Sequence, residues 1–166
     1  ESYLDLAELL SRLNLTGYQG YRSPGYPLLL LFSSLSITIL LQFIFGIATI
    51  IIAYKNMLLL KFEANKAFFT ALFLSTLLNL IFYELAILTE SLTLLLITII
   101  THIYLKNFDQ KISIKTVVYL NVIFAFLILV KPFYFFLPFV FYGFSILKNA
   151  SFKNVFNRSL LTLIGP

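Results

Sequence analysis

The sequence contains no cysteine and a single histidine, His102. Disulfide frameworks, cysteine nucleophiles and zinc sites built from Cys or several His are therefore excluded. Charge is scarce as well: 11% of the 166 residues are Asp, Glu, Lys or Arg, whereas 60% are apolar and 17% aromatic. A soluble domain is typically about 45–50% apolar with about a quarter of its residues charged, so this composition points to lipid and away from disorder. The net charge of +5 does not mark a nucleic-acid binder, because the basic residues stand singly at the ends of apolar segments and form no patch. No phosphate-binding loop, dinucleotide-type glycine pattern or metal-spaced His set is present.

Residues 1–15 read as a surface helix. Glu1, Asp5, Glu8 and Arg12 fall within about 60° on a helical wheel, opposite Tyr3, Leu6, Ala7, Leu10 and Leu13. Such a helix is expected to lie flat on a membrane, and Glu8 and Arg12 at i, i+4 support it. Residues 17–27 hold three of the six Gly and two of the five Pro, which reads as a turning loop. From Ser23 to Tyr54 no charge occurs for 32 residues, too long for one ordinary span of about 20. Ser33, Ser34 and Ser36 are the expected break, leaving a short interfacial helix near 27–34 and a span near 37–55. Further spans are expected near 67–87, 91–106, 115–130 and 133–148, with Lys131-Pro132 dividing the last two into a hairpin. The fold class is thus an all-α polytopic membrane protein with about five transmembrane helices. Residues 1–35 form an extracytoplasmic loop carrying interfacial helices and 36–166 the transmembrane part. Glu1 at one end and Ile164-Gly165-Pro166 inside a fresh apolar run at the other give the expectation of a partial module, truncated at both ends.

Counting charges on alternate sides orients the chain. Lys55, Lys61, Lys66, Lys106, Lys111, Lys115, Lys148, Lys153 and Arg158 share one side with Glu63 and Asp109. Arg12, Arg22 and Lys131 share the other with Glu1, Asp5, Glu8, Glu84 and Glu90. The basic-rich side is expected to be cytoplasmic. The surface helix, the Gly/Pro loop, Glu84, Glu90 and Lys131 then meet on the extracytoplasmic face.

Carboxylates at span ends are costly and usually face a cation, a partner or a wet cavity. Glu90 is such a residue, although Thr89 or Ser91 capping a helix with an acid in its first turn accounts for it without a substrate. Glu84 reads equally well as an interfacial acid paired with a base. Arg22 and Lys131 together suit a phosphate or pyrophosphate, one by its planar fork and one as a point charge; contact with lipid headgroups is the plainer use. His102 reads as a hydrogen-bonded core residue near the cytoplasmic interface. Three glycosylation-type triplets, at Asn14, Asn149 and Asn157, are treated as chance because two fall on the cytoplasmic side.

Four segments in this order, Tyr3-x-x-x-Ala7, Arg22-Ser-Pro-Gly-Tyr-Pro-Leu-Leu-Leu, Leu88-Thr-Glu-Ser-Leu and Val130-Lys-Pro, resemble the polytopic glycosyltransferases of the GT-C superfamily. The resemblance is to the bacterial relatives of protein mannosyltransferases and aminoarabinose transferases. Tyr3, Arg22, Pro24, Gly25, Tyr26 and Pro27 match the family's first-loop pattern, Thr89-Glu90 its later Thr-Glu, and Lys131-Pro132 its Arg-Pro with Lys in place of Arg. The resemblance implies transfer of a sugar from a polyprenyl-phosphate-linked donor to a hydroxyl of a lipid, glycan or protein acceptor. The reaction would run at the extracytoplasmic face of a bacterial inner membrane. It implies substrate-binding roles for Tyr3, Arg22, Tyr26 and Lys131 and a catalytic role for Glu90. The family's principal catalytic Asp would fall two residues before Glu1, outside this sequence, so these residues alone are expected to be inactive. Metal use stays open, since a carboxylate pair beside a phosphate works with or without a divalent cation.

Two other classes compete. A transporter or lipid flippase would use Glu84, Glu90 and His102 as coupling groups, but the repeats it calls for are not found. A non-catalytic membrane scaffold would leave the acids and cations merely interfacial.

Overall fold

A computed structural model describes residues 3–13, 16–18, 23–32, 34–76, 89–108 and 113–148. Every regular element among them is helical. Glu1, Arg22, Glu84, the end of the expected 67–87 span and everything after residue 148 lie outside the described residues.

Helix α1 (Tyr3–Ser11) is shorter than the wheel suggests. Leu6 and Ala7 are buried, and the helix packs on α2 (Gly25–Leu30), so its apolar face meets protein. Glu8 and Arg12 form the expected pair at 2.6 Å. Leu13 corrects the reading: it lies past the helix in a left-handed conformation, φ 51, and is 95% exposed.

The serine break is where the sequence puts it. Ser34 has extended backbone and its Oγ accepts from the Ile37 amide, opening α3 (Leu35–Leu59). Its 25 residues rise about 37 Å at 1.5 Å each, more than the roughly 30 Å hydrocarbon core of a bilayer. It is the one helix among the described residues long and apolar enough to cross a membrane. Helices α5 (Glu90–Lys106) and α6 (Ile114–Val130) have 17 residues each, about 25 Å. The expected last span departs from a plain helix. A 3-10 segment, Pro132–Phe136, precedes α7 (Leu137–Lys148), since Pro132 has no amide to extend α6 and its ring disfavours helix at Lys131.

Helix α4 (Ala64–Ser75) packs on α3, burying Ala67 and Ala71 and exposing Phe68, Phe69 and Phe73. Helix α3 also packs on α5, α5 on α6, and α6 on α2, the 3-10 segment and α7. The core is supplied by Leu92, Leu96 and Ile100 of α5, at four-residue spacing, and Leu120, Phe124, Leu127 and Val130 of α6, at three- and four-residue spacing. Tyr142 closes it by donating to Asn121 Oδ1 at 2.5 Å. Large apolar side chains such as Ile47 (59%), Val122 (63%) and Phe139 (70%) face outward. In water that pattern would be a liability.

Candidate functional site

The site forms where the start of α2, the start of α5 and the end of α6 meet. Gly25 makes this possible: a Cβ there would stand 2.5 Å from Leu129 C and Val130 N and 2.6 Å from Leu129 O. Only a residue without a side chain lets α2 lie on the α6 backbone. Ser23 fixes the register by donating its hydroxyl to the Val130 carbonyl. The loop of Ser23-Pro24-Gly25 is thereby stitched to the turn that carries Lys131.

Lys131 has extended backbone, φ −146 and ψ 94, and its amide closes α6 on Leu127 O. Its Nζ reaches Glu90 Oε1 at 2.8 Å, joining the α6 turn to the first turn of α5. The two side chains are 36% and 28% exposed, so this is a half-wet ion pair worth about 1 kcal/mol or less. Glu90 does stand as the acid in the first turn of α5, so only the Thr89 cap is corrected. Thr89 is the N-cap position, but its hydroxyl makes no capping hydrogen bond and its backbone is already helical, φ −76 and ψ −9. Glu90 is held by the Lys131 ammonium just past the end of α6, and its Oε2 also lies 3.5 Å from the Thr89 hydroxyl.

Tyr26 sits between these parts. It is 1% exposed and its ring meets that of Tyr3 edge to face, centroids 5.3 Å apart. Its hydroxyl is buried and has no hydrogen-bond partner among the described residues. Burial, with the nearby Tyr3 phenol and the Glu90 carboxylate, pushes its pKa up to about 12. At neutral pH it is a neutral donor with no acceptor among the described residues, an arrangement that costs stability unless another group uses it.

Of the residues singled out from the sequence, Tyr3, Tyr26, Glu90 and Lys131 thus gather in one place, and Arg22 lies outside the described residues. Sequence reasoning missed Ser23. Its signal was present, a hydroxyl beside Pro-Gly, but its partner is 107 residues away. An open depression of about 300 Å³ elsewhere, lined by Asp5, Glu8, Arg12 and Gly17, holds the exposed Glu8–Arg12 pair and shares no residue with this site. His102 stands apart as well: its Nδ1 is 2.8 Å from Asn56 Oδ1, between α5 and α3. No protein-family model, curated protein or solved structure matches the chain.

Proposed function

We propose that the chain is part of a polytopic membrane glycosyltransferase that moves a sugar from a polyprenyl-phosphate-linked donor to an acceptor hydroxyl on the extracytoplasmic face. One observation carries the reading. Residues 3 and 26 meet as an aromatic pair and residues 90 and 131 as a carboxylate and an ammonium. The two pairs are brought close by the contact of Gly25 with the backbone before Lys131, and the buried Tyr26 hydroxyl has no partner among the described residues.

The chemistry needs few parts. The acceptor oxygen attacks the anomeric carbon, the bond from that carbon to the phosphate oxygen breaks, and the acceptor proton passes to a carboxylate. Charge developing on the departing phosphate is stabilised by fixed donors that need no reorganisation. Lys131 supplies a cation and Tyr26 a neutral hydroxyl. The Tyr3 ring fixes the Tyr26 ring, and Glu90 holds Lys131 and lies near the reacting groups as an auxiliary base. By the resemblance Arg22 is a second cation, and the principal base is an Asp that none of these residues supplies. The outward apolar faces of α3, α4 and α7 suit a bilayer and a polyprenyl tail.

The test is sugar transfer by the full-length protein from a synthetic polyprenyl-phosphate donor, read by mass shift of the acceptor. Transfer that falls at least 100-fold in Lys131→Ala and Tyr26→Phe, with membrane insertion unchanged, supports the reading. Undiminished transfer in both variants removes the site.

A further inference from the structure

At the far end of α3 and α5 a second set of polar groups meets. Asn56, 7% exposed, donates its amide nitrogen to the Thr98 carbonyl at 3.2 Å. Its Oδ1 therefore faces the His102 ring, and Nδ1 is the nitrogen that carries the proton across the 2.8 Å contact. This bond ties the last turn of α3 to the last turns of α5. Lys55 adjoins Asn56 in the chain, and Lys106 follows His102 by one turn. Both lysines are exposed, and both charges bear on the His102 ring. Neither has an ion-pair partner among the described residues, whereas Arg12, Lys66 and Lys131 each have one. The carbonyl ends of two helices account for about half a negative charge each, which leaves the described residues of this junction positive.

The apolar surface beneath it is equally specific. Ile44, Ile47 and Ile51 are 49%, 59% and 49% exposed, and Leu58 is 39% exposed. At 100° per residue these four and Lys55 fall within about 80° of one another on α3. One outward stripe of hydrocarbon thus runs up to a cation with no acid beside it among the described residues.

We infer that this junction is a binding site for an anionic glycerophospholipid, its phosphate on Lys55 and Lys106 and an acyl chain along Ile51 and Ile47. Charge complementarity selects the head: a zwitterionic lipid brings its own cation, and a free phosphate leaves the apolar stripe unused. Asn56 and His102 are positioning residues that hold the two lysines together across the helix pair. The site rests on the membrane reading of the chain and is independent of the sugar-transfer reading.

Thermal unfolding of the purified chain in mild detergent tests it, with phosphatidylglycerol, phosphatidylcholine of the same acyl chains, or inorganic phosphate added. Phosphatidylglycerol is expected to raise Tm and the other two to leave it unchanged. Lys55→Gln and Lys106→Gln are each expected to weaken phosphatidylglycerol binding about fivefold, the value of one juxtamembrane lysine. Lys66→Gln, whose lysine pairs with Glu63 at 3.1 Å, should bind as the parent does. If the lysine variants do not fold, the parent's affinity still has to fall as salt is raised. Equal stabilisation by phosphatidylcholine, the whole shift from inorganic phosphate, undiminished binding in both variants or indifference to salt would each overturn the site. Release of the chain from membranes by alkaline carbonate would remove the membrane reading, and with it both this site and the membrane glycosyltransferase, whereas loss of sugar transfer alone leaves this site standing.

Discussion

Gly25 and Gly143 separate two uses of one residue type. A methyl at 25 would drive into the backbone of Leu129 and Val130, which has no rotamer to yield. Gly25→Ala should therefore cost about 1–3 kcal/mol, the usual range for overpacking, and it should part α2 from Lys131. At Gly143, in the interior of α7, a methyl meets nothing within 4 Å, so Gly143→Ala should be neutral or stabilising by up to about 1 kcal/mol. Thermal unfolding of the two variants in the same detergent checks both signs, and equal effects would show that the close approach at residue 25 does not exist.

Tyr26 allows a sharper test, because its hydroxyl is buried without a partner among the described residues. Tyr26→Phe should not lower stability at neutral pH, since no hydrogen bond is lost. The phenol's pKa is raised in the folded chain to about 12 from its ordinary 10.0, so the folded state holds this proton more tightly than the unfolded state does. The associated stability is present below pH 10 and is lost as pH rises towards 12. Unfolding curves between these pH values should fall more steeply for the parent than for Tyr26→Phe. Parallel curves would mean that the hydroxyl is not buried as described.

At the scale of elements, the sequence was most legible where a single local force decides. The Ser34 break follows from the need of a helix start for an acceptor, and the Glu8–Arg12 pair and the end of α6 before Lys131-Pro132 follow from spacing alone. It was least legible where distant partners decide. Thr89 is a good cap by composition, yet Glu90 is oriented by Lys131, 41 residues on. The 3-10 start at Pro132 and the packing of α1 on α2 likewise depend on what stands opposite. A local cap and a tertiary contact respond differently to mutation. Ser34→Ala should cost about 0.5–1 kcal/mol, the low end for an N-cap, because its capping bond is long at 3.5 Å. Leu6→Ala, at a 1% exposed side chain, should free α1 from α2 with little effect on the rest. Limited proteolysis would then cut near residues 12–18 faster in the Leu6 variant and no faster in the Ser34 variant.

At the scale of the whole molecule, composition announces lipid before any element is placed, and the outward apolar faces repeat the message. The site residues were legible only as types, since which of Tyr3, Tyr26, Glu90 and Lys131 touch was decided by the close approach at Gly25 and the hydroxyl of Ser23. Orientation is the quantity on which the sugar-transfer proposal depends, and the crossing of α3 the one on which the lipid site depends. If the basic-rich side is cytoplasmic, the end of α3 faces inward and the segment after α1 faces outward. The chain has no cysteine, so one introduced thiol reports one place without background. Leu13 is 95% exposed and Lys61, just past α3, is exposed; neither belongs to either proposed site. In intact cells a membrane-impermeant maleimide should label Leu13→Cys at once and Lys61→Cys only after the membrane is opened. The converse pattern would put Glu90 and Lys131 on the cytoplasmic side, where a donor carried on the outer leaflet cannot reach them. Immediate labelling of both would deny that α3 crosses at all, and with it the argument that its 25 residues are a span.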